Sequence, residues 1–248
     1  MTAIPIMWLR QVKRYLRSKA RIVGSLGQPL LFLVALGFGF GPIYEKAGGG
    51  NYLEFLAPGV IAMSILFTSM FSGIEVIWDR RFGFLKETLV APVSRISIMI
   101  GRTLGGATVA IMQGVIITLI SFALGFRIHS FWALPIALLF MLLVALMFTA
   151  LGTAIASRLE DMQAFPLIMN LLIMPIFFLS GSLFPVTNLP RALDIVIRLN
   201  PLSYGVDGLR GALTGAYQFG FALDFAVLAG ATILFSVIGA WMFSKIEL

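Results

Sequence analysis

Six apolar runs dominate this chain, and several exceed the roughly 20 residues a helix needs to cross the hydrocarbon core of a bilayer. "FLAPGVIAMSILFTSMFSGIEVIW" at 55–78 and "TLGGATVAIMQGVIITLISFALGF" at 103–126 show the pattern. Of the 248 residues, 59% are hydrophobic, more than a domain whose exterior faces water requires. The alternating segments of about ten residues that build a membrane β-barrel are absent. The composition therefore predicts an all-α polytopic membrane protein, a single transmembrane domain over 1–248. Its expected spans lie at 22–42, 55–78, 97–125, 131–156, 164–183 and 222–244. Prolines inside them, such as Pro29, Pro166 and Pro175, are tolerable in membrane helices and usually kink them.

The net charge of +7 invites a nucleic-acid reading, but its distribution argues against one. Arg10, Lys13, Arg14, Arg17, Lys19 and Arg21 crowd into residues 1–21 with no acidic residue among them, as in a juxtamembrane segment meeting anionic lipid. With the N-terminus inside, thirteen of the 18 Lys and Arg fall on the inner side and five on the outer, which places both termini in the cytoplasm. The run after the basic segment contains "GQP" and lacks a small-residue cleavage site, so a retained span is expected rather than a signal peptide.

Two segments interrupt the apolar pattern. "DRRFGFLKETLVAPVSR" at 79–95 is dense in charge and lies on the inner side. A helix over 83–91, closed by Pro92, puts Phe84, Leu85, Thr88 and Leu89 on one face while Lys86 and Glu87 point elsewhere. Such a piece either lies on lipid or docks its apolar anchors into a groove on a soluble partner. The second segment, 184–221, carries Pro185, Pro190 and Pro201. It holds an amphipathic helix candidate, "RALDIVIRL", followed by Leu202, Val206, Leu209 and Leu213 on one helical face. Two short helices dipping into the outer leaflet fit it better than an extended loop. On the second helix Asp207 and Arg210 are spaced to pair, and Arg198 and Arg210 could meet anionic headgroups or an acidic substrate.

Chemistry is thinly supplied. There is no cysteine, so disulfides and thiolate metal sites are excluded. A phosphate-cradling loop needs Gly-Lys-Ser/Thr, and the chain has no Gly-Lys pair. Close helix packing explains Gly37, Gly39 and Gly41, and also Gly101 and Gly105, better than nucleotide binding does. One histidine, His129, is expected in a solvated loop and cannot hold a catalytic metal alone. Glu75 is expected to pair with Arg80 or Arg81, and Asn170 and Gln113 to hydrogen-bond across helices.

Taken in order, "GQP" at 27–29, "YLEFLAPGVIAMS" at 52–64, the 79–95 stretch and "FPVTNLPRALDIVIRLNPLSYGVDGLRG" at 184–211 resemble a permease of the ATP-binding-cassette type-2 exporter family. The wording of "LKETLVAPVSR" leans to its drug-resistance branch. The resemblance implies that Phe84, Leu85, Lys86, Glu87, Thr88 and Leu89 form a coupling helix on a separate ATPase subunit. That subunit would carry the ATP and Mg, and this chain would bind no cofactor or metal and have no catalytic residue. The six N-terminal cations would form an interfacial helix beside the ATPase. Short re-entrant outer helices, carrying Arg198, Asp207 and Arg210, would precede the last span, and two permeases would form a homodimer in the plasma or inner membrane. The expected function is ATP-driven export of a hydrophobic small molecule, lipid or lipid-linked glycan. A secondary carrier or channel acting without ATP, and a membrane enzyme acting on lipid through His129, Glu75 or Asp161, are the alternatives.

Overall fold

A computed structural model describes residues 3–48, 50–90, 93–159, 161–186 and 189–246, and it is helical with no strand among them. Helix α1 (Ala3–Arg17) is amphipathic and ends at Ser18. The first long helix follows from Lys19 to Lys46 as α2 (Lys19–Leu31), a π-helical turn at Phe32–Leu36 and α3 (Gly37–Lys46). Pro29 sits just before the π turn; its missing N–H and bulky ring break the regular ladder where the register changes. The second long helix, Tyr52–Arg81, consists of α4 (Tyr52–Ser72) and α5 (Ile74–Arg81), meeting at Gly73.

A left-handed Gly83 (φ 80°) turns the chain into α6 (Phe84–Val90). Then come α7 (Arg95–Ala123), α8 (Leu134–Arg158) and α9 (Ala164–Phe178). Two short helices, α10 (Arg191–Leu199) and α11 (Pro201–Thr214), precede the last, α12 (Phe221–Ser244). Pro92, expected to close α6, lies outside the described residues.

Among the described residues, five helices are long and apolar enough to cross a membrane: Lys19–Lys46, Tyr52–Arg81, Arg95–Ala123, Phe131–Arg158 and Phe221–Ser244. The expected span at 164–183 is a helix only over Ala164–Phe178, 15 residues. At 1.5 Å per residue that rises about 22 Å, against about 30 Å of hydrocarbon. The chain turns at Leu179, and Gly181 (φ 71°) leads it away.

Helix α4 is the axis of the bundle, packed by α7, α8, α9 and α11 and buried over most of its length. Backbones approach closely where glycine leaves room: Gly59 against Ser182 and Gly73 against Gly152. The same device docks α1. Its buried stripe, Met7, Gln11 and Tyr15, lies on α7, where a side chain at Gly105 would stand 2.6 Å from Gln11 Cβ. Gly37 packs on Leu53, but Gly39 and Gly41 face open space, so the expectation of close packing holds for the first of the three. Asn170 is exposed rather than bonded across helices, whereas Gln113 accepts a 2.6 Å hydrogen bond from Tyr15.

Replacing Gly105 with Val should undock α1, because the new methyls meet Gln11 with no room to relax. The expected cost is about 1–3 kcal/mol. Limited trypsin digestion at Arg14 and Arg17 should speed up in the variant; unchanged protection would show that α1 is held by its ion pairs alone.

A charged clasp at the candidate coupling site

The two ends of the Tyr52–Arg81 helix carry different chemistry. At its C-terminal end two carboxylates one turn apart, Glu75 and Asp79, are buried at 3% exposure each. Each is compensated from a different part of the chain. Arg10 grips Asp79 with both arms of its guanidinium, at 2.8 and 2.6 Å. Arg102 of α7, only 2% exposed, reaches the same carboxylate from the other side. Glu75 accepts a 2.9 Å hydrogen bond from Arg21 and stands 3.5 Å from Arg14. The expected partners Arg80 and Arg81 are elsewhere: Arg80 donates to the carbonyls of Ser157 and Leu159 at the end of α8, and Arg81 contacts Met162.

Burying charge costs several kcal/mol per ion unless pairing and hydrogen bonds compensate it, so this cluster fixes geometry more than it adds stability. It joins α1, α2, α5 and α7 at one point. The hydrogen bond from Arg10 to Asp79 also holds the Arg10 guanidinium charged, above the ordinary arginine value.

Helix α6 hangs from this clasp. The Arg10 guanidinium lies 3.8 Å from the centroid of the Phe84 ring, a cation–π contact from the same side chain that holds Asp79. Leu85 is fully buried, and Thr88 is buried with its hydroxyl donating to the Phe84 carbonyl. The expected outward anchors Leu85 and Thr88 therefore face the permease itself. Periodicity grouped Leu85 and Thr88 on one face but could not say which body that face meets. Lys86 and Glu87 are exposed, Phe84 is half-buried, and the side chain of Leu89 lies outside the described residues. The outward rim is made by Lys86 and Glu87 with Phe82, 77% exposed, and Val90, 81% exposed. Phe82 and Val90 were missed because Phe82 precedes the helix and Val90, its last residue, falls off the stripe.

Of the N-terminal cations, Arg10, Arg14 and Arg21 turn inward to the carboxylates, while Lys13, Arg17 and Lys19 are exposed.

At the other end of the bundle Asp207 and Arg210 do not pair, a correction to the expectation from their spacing. Asp207 accepts hydrogen bonds from the backbone of Gln218 and Phe219 at 2.8–2.9 Å, pinning the loop into α12. Arg210 is buried, donates to the Gly181 carbonyl at 3.0 Å and lies 4.1 Å from the Phe55 ring centroid. It is therefore not a free headgroup contact. Arg198 is exposed and pairs with Asp194 one turn earlier at 2.8 Å. Asn200 accepts from the Leu202 amide, capping α11, and its side-chain amide donates to the carbonyls of Ile176 and Leu179, tying down the end of α9. His129 is exposed, and its amide donates to the Leu213 carbonyl. Among the described residues no group of three potential metal ligands converges.

A bundle of long apolar helices with its charge gathered into a clasp at one end is the architecture of a multi-pass helical membrane protein. The comparisons specify which. The family model for the ABC-2 type transporter matches residues 2–214, and the chain belongs to that family. It is 31% identical over 226 residues to Nodulation protein J of Rhizobium leguminosarum bv. trifolii, covering 86% of this chain and 85% of the relative. It is 29% identical over 246 residues to the putative transport permease ycf38 of Cyanophora paradoxa, covering 93% and 83%. The ycf38 permease of Pyropia yezoensis is 33% identical over 207 residues, covering 81% and 70%. The chain is thus an ABC transporter permease of the ABC-2 type.

Asp79→Asn should leave Arg102 buried without a counterion and destabilise the fold by about 3–5 kcal/mol. The unfolding midpoint in detergent reads this, and Asp79→Leu with Arg102→Leu should recover most of the loss. A single variant as stable as the parent would show the cluster to be solvated.

Proposed function

We propose that this permease is the membrane half of an exporter driven by a separate ATPase subunit, which binds the ATP and Mg, and that α6 receives the push. The observation that carries the reading is the rim of Phe82, Lys86, Glu87 and Val90 on a short helix clamped at Phe84 by Arg10. A displaced α6 moves Arg10, and Arg10 holds the carboxylate on which α5 and α7 also depend. Force on the rim is thereby delivered to two spans at once. In this reading α9, extended by the turn after Phe178 and by the docked α10 and α11, serves as a shorter sixth span. Both termini then lie in the cytoplasm with α1 and α6, in agreement with the placement of Lys and Arg.

The cargo is a hydrophobic small molecule, lipid or lipid-linked glycan, exported through a path between two copies of the permease. The family match and the relatives named as putative transport permeases support transport, and the drug-export leaning rests on the wording of residues 85–95 alone. The exposed faces of the first and last long helices offer the surface a second copy would need.

The test is mild-detergent extraction from the native membrane followed by identification of what co-purifies. An ATPase in equal amount is expected, and Phe82→Asp combined with Val90→Asp should abolish its recovery. Both side chains are exposed, so the variant's unfolding temperature should stay within a few degrees. Full recovery of the ATPase by this variant would remove α6 from the interface.

A further inference from the structure

The first turn of α12 buries a carboxylate for which no donor is supplied. Asp224 is fully buried, and neither of its carboxyl oxygens receives a hydrogen bond among the described residues. Glu75 and Asp79, by contrast, are matched by arginines, and Asp207 by the amides of Gln218 and Phe219. The dipole of α12 favours an anion in its first turn, yet none of its amides bonds to Asp224. A carboxylate desolvated with neither hydrogen bonds nor a counterion is untenable as an anion.

Among the described residues no cation reaches it. On α11 Arg210 donates to the Gly181 carbonyl, and on α10 Arg198 pairs with Asp194. Tyr204 and Tyr217 face Asp224, but the Tyr204 hydroxyl donates to the Arg198 carbonyl and Tyr217 is exposed. His129 lies against Gly215 and is exposed. Helices α7 and α8 also pack on α12, but their titratable side chains, Arg95, Arg102 and Arg158, lie at the other end of the bundle. What does meet Asp224 is a second carboxylate, Asp207 of α11, within hydrogen-bonding reach.

We infer that Asp224 is a neutral carboxylic acid whose O–H donates to the Asp207 carboxylate, so that one bound proton ties the last span to the short outer helices. Two carboxylates are acceptors only and cannot bond to each other, whereas a proton on one makes a donor and an acceptor. The remaining charge belongs on Asp207, which the amides of Gln218 and Phe219 stabilise, and the proton therefore sits on Asp224. The resulting bond is charge-assisted, the stronger kind. Its loss would set two buried like charges face to face. Because Asp207 also holds the loop before α12, that repulsion would release the loop and the start of the last span together. The tie lies in helix packing at the α11 end and does not involve the ATPase.

Infrared spectroscopy of the whole permease at neutral pH reads the proton directly, through the carbonyl stretch of a carboxylic acid. One such band is expected, shifted by isotopic labelling of the five aspartates and lost in Asp224→Asn. The labelling needs no variant, so it decides the matter even if the substitution were to disturb folding. Asp224→Asn keeps a neutral donor for Asp207, and its unfolding temperature should stay close to the parent's. In alkaline buffer the parent's band should fade, and chymotrypsin should cut at Tyr217 and Phe219 about tenfold faster as the loop opens. Asp224→Asn has the same tyrosines and should stay protected. A spectrum without the band, a band that labelling leaves in place or that survives Asp224→Asn, or equal alkaline cleavage of the two proteins would overturn the inference. None of these readings involves an ATPase, so their failure would leave the coupling proposal standing.

Discussion

Asp79 is the residue on which the α6 end of this permease depends. A carboxylate buried at the end of a long helix is untenable alone, and a buried guanidinium such as Arg102 is equally so. Their meeting fixes α5 against α7, and the remaining oxygen geometry is completed by the fork of Arg10. Everything else at this end follows from that placement. Once Arg10 is committed to Asp79, its upper face is available to Phe84, and α6 acquires a fixed seat. A lysine at position 10 would lack both the fork and the planar surface.

The opposite end is organised by hydrogen bonds between side chains and backbone rather than by ion pairs between carboxylates and guanidinium groups. Arg210 and Asn200 both donate to carbonyls at the end of α9 and beyond it, where a helix stops with its last acceptors unmatched. This explains how a helix too short to span by itself is stabilised: α10 and α11 supply the donors that water or a further helical turn would otherwise provide. The short helices are thus structural partners of α9 as well as a cap on the bundle.

How much of this was legible from the residues depended on range. Local rules read the starts of α10 and α11 well, because the prolines at 190 and 201 mark boundaries by their own stereochemistry; the single apolar face expected from Leu202, Val206, Leu209 and Leu213 is not what the fold shows, since every residue from 202 to 213 is buried. Gly101 and Gly105 announced a close approach, but nothing nearby in sequence said that α1 would be the helix approaching. The partners of Glu75 and Asp79 were invisible for the same reason, lying 23 to 69 positions away. Spacing drew attention to Asp207 and Arg210 as a pair, yet each found stronger company in backbone groups brought in by the fold. The apolar stripe of α6 was found, while its direction was not, because a stripe is the same whether it faces its own protein or another.

The docking of α1 onto α7 has a consequence for how the protein is made. Tyr15 and the Gln113 that receives its hydroxyl are 98 residues apart, and Trp8 is 100 residues from Thr108. The apolar stripe of α1 thus has no α7 surface to settle on until most of the third long helix has been synthesised, although its cations can meet Glu75 and Asp79 one long helix earlier. In that interval a lipid surface suits the stripe, and the bilayer can serve as its temporary partner.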